Sequence, residues 1–241
     1  MSIPWHIETF DSVPSTQDMI KERARTGSPE GTVIHALQQT AGYGRHGRSW
    51  TSDKGNFFLS LLLKPASDAR HIGQMGLLAG LAVAETVRKY VREPDVVKLK
   101  WPNDVLIDGQ KCAGIIVETQ LTDKNSMSWI GVGIGVNIVS APRGLGESIE
   151  KYAAKPFGLN AFRTTLLTNM DKYYAEWSRE GFEPIKKKWL EYAHAKGTKI
   201  KVRVGPLVEQ GTFFGLDDEG SLMITDSDLA MKKITAGEVY L

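Results

Sequence analysis

Apolar and polar positions repeat along this chain in ways that predict its helices and strands. Ser15 precedes a polar first turn and an amphipathic pattern, which is typical of the N-cap of a helix that extends to Arg25. The unbroken apolar run Phe57–Leu63 predicts a buried strand, and the largely apolar segment 73–90 predicts a central helix. The remaining patterns predict strands at 32–37, 96–100, 105–107, 111–120 and 129–139 and helices at 157–177 and 181–194.

The pattern changes near residue 196, where polar and apolar residues begin to alternate. The segment Lys199–Val204 alternates throughout, which is typical of a half-buried strand. Turn-forming residues after it separate three more short strands, and 238–241 forms the fifth. Short strands at this spacing predict a small antiparallel barrel. We therefore divide the chain into a larger domain, 1–195, and a smaller domain, 196–241.

Composition narrows the classes of protein to which the chain can belong. The 241 residues carry a net charge of +2, and the smaller domain has six Lys or Arg against seven Asp or Glu, a net charge of −1. Neither balance indicates nucleic-acid binding. We see no signal peptide and no apolar stretch long enough to cross a bilayer. Because the chain has a single cysteine, it fits a reducing compartment, and we expect a cytoplasmic protein.

One long loop combines glycine with arginine. Residues 42–48 read Gly-Tyr-Gly-Arg-His-Gly-Arg and lie between two predicted strands that are about 20 residues apart, a length that usually marks a functional loop. Glycine lets the backbone approach a ligand closely, and arginine offers a planar fork of donors to phosphate or carboxylate. The spacing matches neither a phosphate-binding loop nor a dinucleotide-binding turn. The segment therefore predicts a loop that closes over an anion.

Polar residues also interrupt the apolar runs at 100–104 and at Lys111. The first segment, Lys-Trp-Pro-Asn-Asp, ends in two side chains with strong hydrogen-bonding capacity. By alternation, Lys111 shares a strand face with the apolar residues at 113, 115 and 117. A lysine on such a face either points into a pocket or reaches water from the end of the strand.

The predicted strand 129–139 carries glycines at 131, 133 and 135. Because side chains alternate between the two faces of a strand, one face of this segment has no side chains. Either a closely packed helix or a flat ligand must lie against that face.

The sequence contains no pattern of a metal site or of a hydrolytic triad. None of the five histidines forms a pair at metal-ligand spacing, so we expect no metal that is bound by the protein alone. Cys112, within a predicted strand, is typical of a small apolar core residue.

Taken in order, these segments resemble those of the biotin–protein ligases over nearly the whole chain. The most specific part is Lys-Trp-Pro-Asn-Asp at 100–104, followed by Lys-x-Ala-Gly-Ile-x-x-Glu at 111–118. The resemblance implies an α+β fold similar to that of class II aminoacyl-tRNA synthetases and biotin synthetases. In this fold a mixed, largely antiparallel sheet has helices on one side, and a small SH3-like β-barrel follows it.

The resemblance also implies a ligase that acts in two steps. Biotin and ATP, which brings Mg²⁺ with it, first give biotinyl-5′-adenylate and pyrophosphate. The biotinyl group then passes to a specific lysine of a biotin carboxyl carrier domain. Domain 1–195 would bind biotin and ATP, and its loop 140–155 would cover the adenine.

By the same resemblance, three residues would be catalytic. Arg45 would hold the two anions together and retain the adenylate, Lys111 would contact the carboxylate and the phosphate, and Asp104 would position ATP–Mg²⁺ or the incoming lysine. The residues that would bind the nucleotide are Arg48, Asn103, Asp104 and Asn137. The residues that would bind biotin are Ser15, Thr16, Gln17, Gln39, Gly42, Tyr43, Gly44, Arg45, Trp50, Lys111, Gly114, Gly133 and Gly135.

The chain departs from the family pattern in three positions. Tyr43 and His46 stand where the family loop carries arginines, which lowers the positive charge of the loop. Gln17 stands where asparagine is common. The family motifs begin close to Met1, so we expect no N-terminal helix-turn-helix domain and a ligase that binds neither DNA nor membranes.

Three alternatives remain open. A lipoate or octanoate ligase shares the fold and a lysine, but its signature lacks Trp-Pro-Asn-Asp. A non-catalytic biotin sensor would fit the altered loop, although Lys111 and Arg45 are retained. A small nucleic-acid-binding protein could be built on the basic loop and the barrel, but the near-neutral charge opposes it. Members of the family often form homodimers, and the sequence does not show whether this one does.

Overall fold

The computed structural model describes residues 2–121 and 127–240, and in this part of the chain the larger sheet has seven strands. They are β1 (His6–Phe10), β2 (Thr32–Ala36), β3 (Phe57–Leu63), β4 (Val97–Lys100), β5 (Asp104–Ile107), β6 (Gln110–Leu121) and β7 (Met127–Val136). Their spatial order is β1-β2-β3-β7-β6-β5-β4. β1 and β2 are parallel and the other neighbours are antiparallel, which confirms the mixed, largely antiparallel sheet.

Helices cover both faces of this sheet, not one. They are α1 (Thr16–Arg25), α2 (Ile72–Tyr90), α3 (Leu159–Glu180) and α4 (Glu183–Tyr192). The expectation of helices on one side holds for α2, α3 and α4, which enclose the main core, whereas α1 packs its Ile20 on Ile34 and Leu62 of the opposite face. The reason is that β2 and β3 are apolar at successive positions, so both of their faces must be covered.

Strand β7 shows how the two faces differ. Val132, Ile134 and Val136 belong to the core that α2 closes, while the glycines between them face α1 and the space beside it. The glycine floor (Gly131, Gly133 and Gly135) is therefore held flat by apolar packing on its other side.

Lys111 does not share a face with Ala113, and the predicted alternation is wrong at this point. Leu106 of β5 pairs with Lys111, but its neighbour Val105 pairs with Ala113, so Cys112 is an extra residue in a β-bulge. The bulge reverses the alternation. Lys111 consequently lies on the side of Gly114, where its Nζ is 3.2 Å from the position that a Cβ on Gly114 would occupy.

The C-terminal part of the chain forms a second, antiparallel sheet. Its strands are β8 (Lys199–Val204), β9 (Leu207–Leu216), β10 (Leu222–Thr225), β11 (Met231–Ile234) and β12 (Glu238–Tyr240), in the order β11-β10-β9-β8-β12. The five predicted strands are confirmed up to residue 240, and Leu241 lies outside the described residues. No pairing joins β11 to β12 in the described chain, so the predicted closed barrel is an open sheet.

Several boundaries differ from the predicted ones. β1 has mixed polarity and no clear alternation in its sequence, and we did not predict it. β7 ends at Val136, because the Asn56 carboxamide oxygen accepts the backbone N–H groups of residues 138, 139 and 140 in place of a neighbouring strand.

None of the helices in the described segments combines the length and the apolar character that crossing a membrane requires.

Candidate functional site

A cavity of about 640 Å³ lies over the glycine floor, between the larger sheet and the C-terminal sheet. It brings together every residue assigned to the site from the sequence except Gly42. The assigned residues that line it are Ser15, Thr16, Gln17, Gln39, Tyr43, Gly44, Arg45, Arg48, Trp50, Asn103, Asp104, Lys111, Gly114, Gly133, Gly135 and Asn137.

One end of the cavity is neutral and polar. Gln39 Oε1 accepts hydrogen bonds from the backbone N–H of Thr16 (2.8 Å) and from its hydroxyl (3.1 Å), and the same hydroxyl lies 2.9 Å from Ser60 Oγ. Ser15 caps α1 by accepting the N–H of Asp18 at 3.3 Å, so it fixes where the helix begins. These side chains are held by one another and present a fixed set of donors and acceptors.

The glycine floor is covered by α1, by Ile116 of β6 and by one tryptophan. Gln17 of α1 lies against Gly133 and donates its amide to the Gly131 carbonyl at 3.1 Å, while the Trp50 indole lies against Gly135. A closely packed helix therefore covers part of the glycine face of β7. This is one of the two alternatives that the sequence left open, a helix or a flat ligand. Gln17 Oε1 and Trp50 Nε1 are buried without a hydrogen-bond partner in the described chain, so each is free to bond a polar group in the cavity.

The other end of the cavity is cationic and is organised by Asp104. This carboxylate is buried, and its oxygens bind Lys111 Nζ at 2.5 Å and Lys100 Nζ at 3.0 Å. Lys111 Nζ also lies 5.4 Å from the centre of the Trp50 ring. Since Asp104 balances only one of the two ammonium groups, this corner keeps a net positive charge beside the tryptophan.

The glycine-arginine loop folds back over that corner. Arg45 donates to Asn103 Oδ1 at 3.2 Å and to the carbonyl of Gly237 at 3.3 Å, and Asn103 is itself fixed by donating to the Ile115 carbonyl at 2.6 Å. Burial lowers the pKa of Arg45, although Asp104 and Glu238 favour its charge. An arginine that is partly desolvated and only lightly paired is suited to binding an anion.

Arg48 also reaches the C-terminal sheet. It makes a bidentate ion pair with Glu238 of β12, with N–O distances of 2.9 and 2.8 Å. The hydrogen bonds from Arg48 hold the pKa of Glu238 at about 2, well below its usual value. This ion pair joins the loop to the C-terminal strand. The Glu238 carboxylate occupies the side of the Arg48 guanidinium to which the anion of a ligand could bind.

Gly42 and Asn137 support the cavity from its edges. A Cβ on Gly42 would lie 2.5 Å from Ser52 Oγ and 2.8 Å from Gln39 Nε2, so only glycine fits there, although the residue does not line the cavity. Asn137 donates its backbone N–H to Cys112 at 2.8 Å. In the loop 140–155, only residues 142 and 145 line the cavity, whereas Ile149 is buried in the main core and Tyr152 packs against it.

Several residues of this site were not predicted from the sequence. Ser60 lies in an apolar run that gave no signal, and Arg203, Gly237 and Glu238 come from the C-terminal sheet, which we predicted to be separate. Trp101, part of a recognised motif, donates its indole N–H to the Gly220 carbonyl at 3.0 Å and so fastens the C-terminal sheet to the larger one. Only the tertiary contacts reveal these roles.

Carboxylates are scarce in the cavity. Those lining it in the described chain, Asp104 and Glu238, are both engaged by cations, and no group of three or more potential metal ligands occurs in the described residues. The cationic side chains Arg45, Arg48, Lys111 and Arg203 outnumber them. The cavity is therefore suited to an anion rather than to a cation held by the side chains alone.

Comparison with known proteins gives the family. A model described as the biotin/lipoate A/B protein ligase family matches residues 9–137. The bifunctional ligase/repressor BirA of Bacillus subtilis (strain 168) is 33% identical to this chain, over 98% of this chain and 74% of its own length. The biotin–acetyl-CoA-carboxylase ligase of Paracoccus denitrificans is 32% identical, over 86% of this chain and 89% of its own length.

The fold has a similar counterpart among solved structures. The biotin protein ligase from Aquifex aeolicus in complex with biotin and ATP superimposes with a TM-score of 0.82 at 26% identity. The superposition covers 98% of this chain and 97% of the other, so the similarity includes the C-terminal sheet.

Proposed function

This chain belongs to the biotin/lipoate A/B protein ligase family and is an enzyme of the biotin ligase class, and from this premise we propose that it converts biotin and ATP into biotinyl-5′-adenylate and transfers the biotinyl group to a lysine of a biotin carboxyl carrier domain. The single observation that carries the proposal is the change of polarity along one cavity. Its near end, beside the glycine floor, is neutral, and its far end is cationic.

The neutral end supports binding of the biotin ring system. A ureido group has two N–H donors and a carbonyl acceptor and carries no charge. Thr16, Gln39 and Ser60 offer fixed neutral partners, and Gln17 Oε1 is a buried acceptor that lacks a donor. The flat bicycle would lie beside Trp50, in the part of the cavity that Gly133 and Gly135 line.

The cationic end supports the first step. An oxygen of the biotin carboxylate forms a bond to the α-phosphorus of ATP, and the bond from that phosphorus to pyrophosphate breaks. Both reactants are anions, so positive charge must offset their repulsion and the charge that develops on phosphorus. Lys111 and Arg45 are placed to supply it, Asp104 holds Lys111, and Arg48, Asn103 and Asn137 surround the expected nucleotide position.

The second step needs an amine and an open path to the adenylate. The lysine nitrogen of the carrier domain attacks the acyl carbon, the bond to AMP breaks, and the amine loses a proton. Arg45 closes over the far end of the cavity, which would retain the adenylate until the carrier arrives.

The experiment is biotin-dependent release of pyrophosphate from Mg-ATP by the purified protein. Lipoate and octanoate are run in parallel, and a carrier domain is then added together with a variant whose target lysine is arginine. Release with biotin alone, followed by labelling of the intact carrier only, is the expected result. Release with lipoate or octanoate and not with biotin would overturn the proposed substrate, and failure to label any carrier would overturn the second step.

A further inference from the structure

Tyr43 lines the cavity, yet its hydroxyl is bonded outside it. The hydroxyl accepts a hydrogen bond from the Lys21 ammonium at 2.8 Å and lies 3.0 Å from carboxylate oxygens of Asp18 and of Glu118. Asp18 and Lys21 belong to α1 and Glu118 belongs to β6, and none of the three lines the cavity. The hydroxyl therefore joins the loop to helix α1 and to strand β6.

The cluster of Tyr43, Asp18, Lys21 and Glu118, which we call the tyrosine cluster, is joined by hydrogen bonds and ion pairs. Lys21 Nζ lies 2.8 Å from Asp18 and 3.4 Å from Glu118 and 5.3 Å from the centre of the Tyr43 ring. Two carboxylates face one ammonium, so an acceptor remains for the hydroxyl proton. Burial and the adjacent carboxylates raise the pKa of Tyr43, so the hydroxyl stays protonated.

The backbone places this tie at the base of the loop. Tyr43 bridges Ser49, the Gly44 N–H donates to the Arg48 carbonyl at 2.8 Å, and the Trp50 N–H donates to the Gly42 carbonyl at 2.9 Å. Segment 42–50 is thus a narrow hairpin with Arg45 beyond the tie. With glycines at 42, 44 and 47, the hairpin has little stiffness of its own, and an anchor at its base limits where the tip can move.

We propose that Tyr43 is a positioning residue, which ties the base of loop 42–50 to α1 and β6 through its hydroxyl and so holds Arg45 over the anionic ligand. This inference rests on the proposed function. The tie is made entirely by residues of the chain, so its effect is to reduce the ordering that binding requires. It acts through Arg45 and Trp50 and makes no bond to the reacting atoms.

The test variant is Tyr43→Phe, which removes the hydroxyl and keeps the ring. We expect about tenfold faster hydrogen exchange in the peptides that contain the Gly44, Arg48 and Trp50 amides, measured on the ligand-free protein, because hydrogen bonds to charged groups typically carry that effect. We expect about tenfold weaker biotin binding and about tenfold faster loss of the adenylate. The fall in kcat/KM for biotin should come mostly from a higher KM, since the hydroxyl itself makes no bond to a reacting group.

Two further variants separate this role from a local packing defect. Tyr192→Phe is the matched control, because its hydroxyl also donates to a carboxylate, Glu85 at 3.1 Å, beside a lysine and away from the cavity. It should leave loop exchange and biotin affinity unchanged. Glu118→Ala should weaken biotin binding, and adding Tyr43→Phe to it should have a much smaller effect than in the parent protein.

The outcomes are distinct. Faster loop exchange with weaker biotin binding, non-additive with Glu118→Ala, supports the positioning role. Unchanged exchange in Tyr43→Phe overturns the tie, and faster exchange with unchanged biotin binding overturns its effect on the ligand. Fully additive variants would mean that the hydroxyl acts outside the tyrosine cluster, which also overturns the proposal. If the parent protein binds biotin but releases no pyrophosphate, the proposed function fails, while exchange and biotin affinity still decide the role of Tyr43.

Discussion

The two faces of the seven-stranded sheet are made by the same strands, but one is filled throughout and the other is filled mainly where α1 packs. Toward α2, α3 and α4, successive strands present valine, isoleucine, leucine and phenylalanine, and the space is filled. Toward the cavity, β7 presents glycines and β6 presents Gly114, with α1 covering only one end. The filled face keeps the sheet rigid, and this rigidity allows the other face to keep a cavity for a ligand.

The same comparison holds for charge. Lys111, Arg45 and Arg48 all lie on the cavity side, whereas the filled face buries His35, whose Nε2 has no partner in the described chain. Changes on the cavity face should therefore alter binding and chemistry, and changes on the filled face should alter stability.

Lys111→Ala tests the cavity face most severely. We expect adenylate formation to slow by about 100-fold or more, because one donor to a developing charge is lost. The affinity for biotin should fall by less than about tenfold. Pyrophosphate release and calorimetry measure the two quantities, with Lys199→Ala, exposed on β8, as the control. Weakened binding with an unchanged rate would refute the catalytic assignment.

Gly135→Ala tests whether the floor must stay bare. The Cβ of the new alanine would lie 2.5 Å from Trp50 Nε1, so the indole must move. We expect biotin affinity to fall about 10- to 100-fold. The overpacking should also lower the unfolding free energy by ~1–3 kcal/mol. Gly76→Ala is the counterpart within α2, where the nearest atom is 3.7 Å away. That change should leave binding intact and should not destabilise the fold. Equal effects of the two substitutions would contradict the contrast between the faces.

Arg45→Ala tests retention on the cavity face. We expect the adenylate to leave about tenfold faster and to label lysines other than the target, since a charged hydrogen bond over the cavity is lost. Release of radiolabelled adenylate and labelling of a non-substrate protein are the measurements, with exposed Arg179→Ala as the control. Unchanged release would remove this role from Arg45.

His35 tests the filled face through pH. Burial, with help from the Arg163 charge, lowers its pKa to about 4 from 6.5. Between those pH values the unfolded chain binds a proton at His35 that the folded chain does not. The contribution of neutral His35 to the unfolding free energy is therefore complete above pH 6.5 and is lost as the pH falls toward 4. We expect His35→Phe to reduce the fall in unfolding free energy between pH 7 and pH 5 by ~1–2 kcal/mol. An identical pH dependence in urea titrations of both proteins would contradict this.

Much of the fold followed from local patterns. The extent of α1, the buried strand Phe57–Leu63 and the five C-terminal strands up to residue 240 were predicted, because each depends on periodicity and turn residues close in the chain. β1 was missed and β7 was made too long. In both cases the pairing partner decides, and it lies far away in sequence.

The candidate site was predicted as a set of residues but not as an arrangement. Alternation placed Lys111 among core residues, and only the bulge at Cys112, created by pairing with β5, turned it into the cavity. Likewise, Tyr43 was grouped with the biotin-binding residues, whereas its hydroxyl bonds to α1 and β6.

By itself, the sequence determined the chemistry available to this protein: bare glycines on one strand face, a flexible loop with arginines, and a lysine and an aspartate near one another in the chain. Those properties belong to residue types and short spacings, which no later step of folding alters. The tertiary structure decided which charges meet, as when Arg48 pairs with Glu238 across 190 positions of the chain. Such contacts depend on where whole elements pack, and no local spacing encodes that.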